Sequence, residues 1–237
     1  MRAALTIAAT QPLCTPHDVA ANAREHATAV RSARARLVLF PELSLTGYEL
    51  DAATVAAEDP RLAPLVAACA ETGAVALAGA PVDGAAGRPH IAMLAIDGGG
   101  ARVVYRKMWL GSDEVERFAP GEHPASLALD GWSLGLAICR DTGVPQHQRD
   151  TCALGVDAYL AGVLDDADDV EHVHAKARRI AVERGVWVAF ASFAGATGGG
   201  YERAAGCSGI WRPDGSAAAR AGAQVGALAF AALADLR

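Results

Sequence analysis

The chain has 237 residues, 52% of them hydrophobic and 20% charged, which is enough apolar material to bury one large core in a single domain. Its formal charge of −6, from 21 basic and 27 acidic side chains, argues against nucleic acid as a partner, and no basic or basic-aromatic run points the other way. The apolar start ahead of Gln11-Pro12 is too short to cross a membrane and reads as a first strand, not a signal peptide.

In chain order, LTIAA (5–9) predicts a strand. A helix then opens at Thr15-Pro16-His17-Asp18, with Thr15 as cap, Pro16 at the first helical position and Asp18 at the positive end of the dipole; it runs to about Ala33. RLVLF (36–40) is unbroken apolar sequence, as for a strand buried on both faces. A helix over 60–71 leads into the strand AVALAGA (74–80). IAMLAI and ARVVYR then form a hairpin around Asp97-Gly98-Gly99-Gly100, whose glycines are expected to supply positive φ angles. Neither this run nor Gly198-Gly199-Gly200 is a phosphate loop: no helix follows the first, and no Gly-Lys-Ser/Thr accompanies the second. A strand over 132–138 ends at Cys139, and a helix starts near Pro145. DAYLAGV (157–163), a helix over 168–184, then VWVAFAS (186–192), SGIWR (208–212) and ALAFAAL (227–233) complete the chain. No linker, low-complexity tract or repeat divides it. Parallel and hairpin-connected strands with helices between them predict a layered α/β sandwich in one domain.

The five cysteines, Cys14, Cys69, Cys139, Cys152 and Cys207, form no CxxC pair and no zinc spacing, which predicts a reducing, cytoplasmic setting. His172 and His174 stand two apart on a predicted helix and so face different sides; structural or surface roles are expected. No metal or organic cofactor is expected.

Three polar residues interrupt apolar strand ends: Glu42 after Pro41, Lys107 after the second hairpin strand, and Cys139. Strand ends on one edge of an α/β sheet are where ligand sites gather. Singly, each has a structural reading, as a salt-bridged carboxylate, a snorkelling cation and an inert core thiol. Together they make a working set for acyl transfer. The thiol is the nucleophile, Glu42 takes and returns its proton, and Lys107 favours the thiolate and stabilises an oxyanion. The backbone N–H of Arg140 is a candidate second oxyanion donor.

These segments resemble the nitrilase, or carbon–nitrogen hydrolase, superfamily: FPELSLTGY around Glu42, YRKMWL around Lys107 and GLAICRDTGVPQ around Cys139, in matching order and spacing. The resemblance runs from LTIAATQ to SGIWRPDG. It implies an α-β-β-α sandwich, a Glu-Lys-Cys triad acting on small amides, nitriles or N-carbamoyl compounds, and pairing into a homodimer or higher homo-oligomer. It also implies a further glutamate ahead of a Phe-x-Pro-Gly turn. In DEVERFAPGEH this is Glu114 by its distance from Gly121, with Glu116 the rival. Tyr48, Arg140 and Asp165 are assigned to oxyanion or substrate binding.

The chain departs from the family pattern at several points. Arg140 replaces an aromatic after the cysteine, and Gln146 replaces a glutamate that usually anchors structure near the site. Glu183-Arg184 stands for Glu-Asn, and Ser192 for Asn. LDDADDVEHVH replaces a segment that commonly supplies a Pro and a Trp. Asp165, Asp166, Asp168 and Asp169 either bias the pocket toward cationic amides or simply open the following helix. A nitrilase, an acyl transferase using the same thioester, and a non-catalytic binding module are the alternatives to an amidase.

Overall fold

The computed structural model describes residues 2–84 and 87–235. Its elements, in order, are Leu5–Thr10 (β1), Val19–Ala33 (α1), Leu37–Leu39 (β2), Ala63–Thr72 (α2), Val75–Val82 (β3), His90–Asp97 (β4), Gly100–Arg106 (β5), Ala125–Leu129 (β6) and Trp132–Ile138 (β7). Then come Pro145–Cys152 (α3), Ala158–Val163 (β8), Val170–Arg184 (α4), Trp187–Ser192 (β9), Ala194–Gly195 (β10), Ala204–Ala205 (β11), Gly209–Trp211 (β12), Ala217–Arg220 (β13) and Leu228–Leu233 (β14).

Period-two alternation builds two six-stranded sheets that share a core. Along β1, Ile7 and Ala9 point to the space between the sheets while Ala8 points to the helices; Leu37 and Leu39 contrast with Val38 in the same way. The inner face of β7, with Leu134, Leu136 and Ile138, meets them from the other sheet. Helices α1 and α2 cover the first sheet through Val19, Ala23, Ala27, Val30 and Leu65. On the far side α4 covers the second through Val173, Ala177 and Ile180. The layers are therefore α-β-β-α, as the resemblance implies.

The two sheets, β5-β4-β3-β2-β1-β14 and β13-β12-β9-β8-β7-β6, repeat one pattern of pairing. Each runs antiparallel, antiparallel, parallel, parallel, antiparallel. The internal repeat lies in the topology alone, since alternating apolar residues can recur without recurring identities. It places β2, which leads to Glu42, in the position of β8, which leads to Leu164, and β1 in the position of β7, which leads to Cys139.

Three local expectations are corrected. Helix α1 begins at Val19, and Asp18 is the cap, its side chain accepting from the Ala21 N–H. The chain turns first at His17, with φ 61°. Thr15 instead exchanges two backbone bonds with the Asn22 amide, so Pro16 lies in a turn outside the helix. In the β4–β5 hairpin only Gly100 has positive φ; the Asp97 carboxylate accepts the Gly99 N–H at 2.8 Å and shapes the loop instead. Strand β6 was not expected. It pairs with β7 around Asp130-Gly131, whose φ angles of 51° and 80° suit a two-residue hairpin loop. No described helix is long and apolar enough to cross a membrane.

Candidate active site

Glu42 sits on a turn threaded between the sheets. Gly79 on β3 and Gly162 on β8 leave room for it. A Cβ at Gly79 would fall 2.2 Å from the Leu43 nitrogen, and one at Gly162 2.9 Å from the Glu42 nitrogen and 2.6 Å from the Phe40 oxygen. From α1, Asn22 donates to the Leu45 carbonyl, and His26 Nε2 lies 2.8 Å from Ser44 Oγ. Burial lowers the His26 pKa to about 3, so the imidazole is a neutral strut.

The Glu42 carboxylate is 1% exposed. Lys107, delivered by the end of β5, donates through Nζ to Glu42 Oε1 at 2.6 Å and to Glu114 Oε1 at 2.7 Å. Glu114 is itself fixed by the Gly111 N–H on Oε2 at 2.6 Å. One ammonium thus holds two carboxylates, which is the partnership a buried lysine needs. Of the two glutamates considered, Glu114 is the one inside; Glu116 is exposed. The Lys107 pKa is raised: its two carboxylates and the neighbouring thiol outweigh desolvation, which alone would lower it. Desolvation dominates at Glu42 and, with Glu114, outweighs the pull of Lys107, so its pKa rises to about 7. Glu42 Oε2 is buried without a hydrogen-bond partner among the described residues.

Cys139 breaks β7 abruptly. Ile138 is extended, but Cys139 has φ 40°, a left-handed conformation costing a non-glycine residue about 1–2 kcal/mol. The turn aims Sγ at the Leu164 carbonyl, 3.5 Å away, within electrostatic reach of Glu42, Lys107 and Asp165. Lys107 pulls the thiol pKa down as expected, but burial and Glu42 win and raise it.

Lys107, Glu114 and Cys139 line a cavity of about 220 Å³, with Glu42 behind them on Lys107. Tyr48 lines it, with Tyr201 edge-on at 5.6 Å, and Arg140 reaches its exposed rim. Asp165 follows Leu164, which lines the cavity; its Oδ2 is buried and has no hydrogen-bond partner among the described residues. Asp166 and Asp168 are engaged locally. The Asp166 side chain accepts from the Asp168 N–H, and Asp168 pairs with Arg203 at 2.8 Å, as the helix-start alternative anticipates. Gln146 is exposed and bonded to Asp150 and Arg149, while its helix neighbours His147 and Gln148 are buried, Gln148 donating to the Thr142 carbonyl at 2.8 Å. Tyr201, Asp113 and Gly199 were missed as lining residues. The Gly198–Gly200 run was the available signal: Gly198 donates to the Gly47 carbonyl at 2.9 Å, and a Cβ there would collide with it.

The carbon–nitrogen hydrolase family model matches residues 6–235. A curated hydrolase encoded in the pqqF 5′ region of Pseudomonas protegens is 35% identical over 221 residues, covering 87% of this chain and 75% of that protein. The amidase from Nesterenkonia sp. AN1 is a structural match as a cysteine-to-alanine mutant in complex with butyramide. That match is 27% identical, with TM-score 0.86, and covers 98% of this chain and 91% of that one. A glutamate-to-glutamine mutant of the same amidase, carrying the acetamide moiety of fluoroacetamide on its active-site cysteine, matches at 26% identity and TM-score 0.86, over 98% and 90% of the two chains.

Proposed function

The chain belongs to the carbon–nitrogen hydrolase family, and from that premise we propose that it cleaves the C–N bond of a small linear amide or N-carbamoyl compound through a thioester on Cys139. The observation that carries this reading is the buried Glu42–Lys107–Glu114 chain opening beside the Cys139 thiol. A cavity of about 220 Å³ lies below the usual range of ligand sites, about 300–1,000 Å³, and favours a substrate of few atoms. The butyramide and acetamide groups bound by the related amidase support the same size class.

Glu42 accepts the thiol proton as sulfur attacks the carbonyl carbon. Two of the three Lys107 N–H bonds are held by carboxylates, which leaves one for the developing oxyanion; the Arg140 backbone N–H is the second donor. Collapse breaks the C–N bond, and Glu42 protonates the departing amine. Water then gives a proton to Glu42 and its oxygen to the acyl carbon, the thioester breaks, and the proton returns to sulfur. Tyr48 and Leu164 form the pocket walls.

The base is the carboxylate form of Glu42, and its pKa is raised to about 7. Activity is therefore lost as pH falls: kcat/KM drops about tenfold per unit below that point and levels above it. A panel of small amides, nitriles and ureido acids assayed for ammonia across pH 5–9 tests both points. Failure of every amide and ureido acid to release ammonia refutes the proposal, and a pH-independent rate refutes the role of Glu42. Gly162→Ala, by displacing the Glu42 turn, is expected to cost about 10²-fold in kcat, measured in the same assay.

A further inference from the structure

Beneath the nucleophile lies a buried polar chain that the mechanism above does not use. Tyr105 Oη is 2.7 Å from Asp141 Oδ2 and 2.8 Å from His147 Nε2, and His147 Nδ1 is 2.8 Å from Tyr159 Oη. All four residues are at most 3% exposed. They come from β5, the turn after β7, α3 and β8, and so tie the two sheets together.

Hydrogen counting orients every link. Asp141 accepts: the Ile138 N–H reaches Oδ2 and the Trp109 N–H reaches Oδ1, both at 2.9 Å. The single Tyr105 proton therefore goes to Asp141, and the phenol oxygen accepts from His147 Nε2–H. Burial lowers the His147 pKa against the pull of Asp141 and Asp150, so the imidazole is neutral and Nδ1 accepts from the Tyr159 hydroxyl. Burial also raises both tyrosines, which keep the protons they donate.

Asp141 is where this chain meets the chemistry. It holds the amide just before Cys139 and the amide two residues after Lys107. We propose that Tyr105 and His147 are positioning residues: by fixing the Asp141 carboxylate they keep the strained Cys139 turn in register with the arm that carries Lys107. The inference rests on Cys139 being the nucleophile.

The test compares Tyr105→Phe, His147→Gln, His147→Phe and the double variant Tyr105→Phe/His147→Phe. Readouts are kcat and KM on a small amide, iodoacetamide alkylation of Cys139 by peptide mass spectrometry, and Tm. Tyr105→Phe is expected to lower kcat by about 10–100-fold with KM within about twofold, because misplacement of reacting groups by about 1 Å has such effects. Alkylation slows in parallel. His147→Gln, which keeps a donor and an acceptor, retains more kcat than His147→Phe, and the double variant is no worse than the poorer single one because both cut the same chain. Wild-type kcat at reduced Tm, losses that multiply in the double variant, or a rise in KM alone would overturn the inference. Should Tyr105→Phe not fold, the Gln-against-Phe contrast at position 147 decides alone. A wild-type chain whose Cys139 resists alkylation while amides are still hydrolysed overturns the nucleophile assignment, and this inference with it.

Discussion

Cys139→Ala abolishes ammonia release from amides, a fall of about 10⁵–10⁶ in kcat, while the fold survives. Sγ has a weak contact with the Leu164 carbonyl and lies partly open to the cavity, so its loss removes little packing. The expected cost is about 1 kcal/mol. The Glu42–Lys107–Glu114 chain is bonded within itself and keeps its geometry. Cys69→Ala gives the opposite profile. That thiol is buried on α2, with its pKa pushed up to about 11, so its loss touches stability and leaves turnover intact. Ammonia assays and calorimetry on the two variants separate these outcomes.

Lys107→Met loses both activity and stability. Glu42 and Glu114 would face each other in a site where their side chains are at most 4% exposed, with no cation between them. Removing one member of a buried charge set costs about 3–5 kcal/mol, and losing an oxyanion donor costs about 10²–10³ in kcat. The stability loss depends on pH. Lys107 pulls the Glu42 pKa down, so without it that carboxyl holds its proton still more tightly when folded than when unfolded. Between about pH 4.5 and 7 the folded wild-type chain also keeps this proton, so the two differ above about pH 7, where the wild type releases it and the variant does not, and the variant's deficit grows as pH rises through that point. Urea denaturation should therefore show a larger deficit at pH 8 than at pH 5. Adding Glu114→Gln should recover part of the stability and none of the activity. Equal deficits at the two pH values would contradict this electrostatic account.

What could be read in advance was whatever a short segment carries by itself. FPEL, YRKM and AICRD each join a strand end to a polar head, and their order and spacing carried the family resemblance that implies a Glu42, Lys107 and Cys139 triad. The layered architecture was equally legible, because apolar strands, the unbroken 36–40 run among them, alternate with helical stretches along the chain. The Asp130-Gly131 hairpin was legible too, carrying the same dipeptide signal as 97–98, but it was passed over. Glu114 and Glu116 differ only in which side of one turn they occupy, and packing on Lys107 settles that. The chain of Tyr105, Asp141, His147 and Tyr159 could not be seen: its members come from four elements, and their hydroxyls and imidazole gain meaning only when those elements meet. The acidic 165–169 run left two readings open, and the Asp166 bond to the Asp168 N–H and the Asp168–Arg203 pair fit a local role for those two residues.

The central claim is that one sulfur carries the acyl group. Rapid quenching of the wild-type chain during turnover of a small amide, followed by peptide-resolved mass spectrometry, measures this directly. The expected result is a mass gain equal to substrate minus ammonia on the peptide containing Cys139, absent after the amide is consumed and absent in Cys139→Ala. A transient adduct on Cys14, Cys69, Cys152 or Cys207, or undiminished turnover by Cys139→Ala, would contradict it.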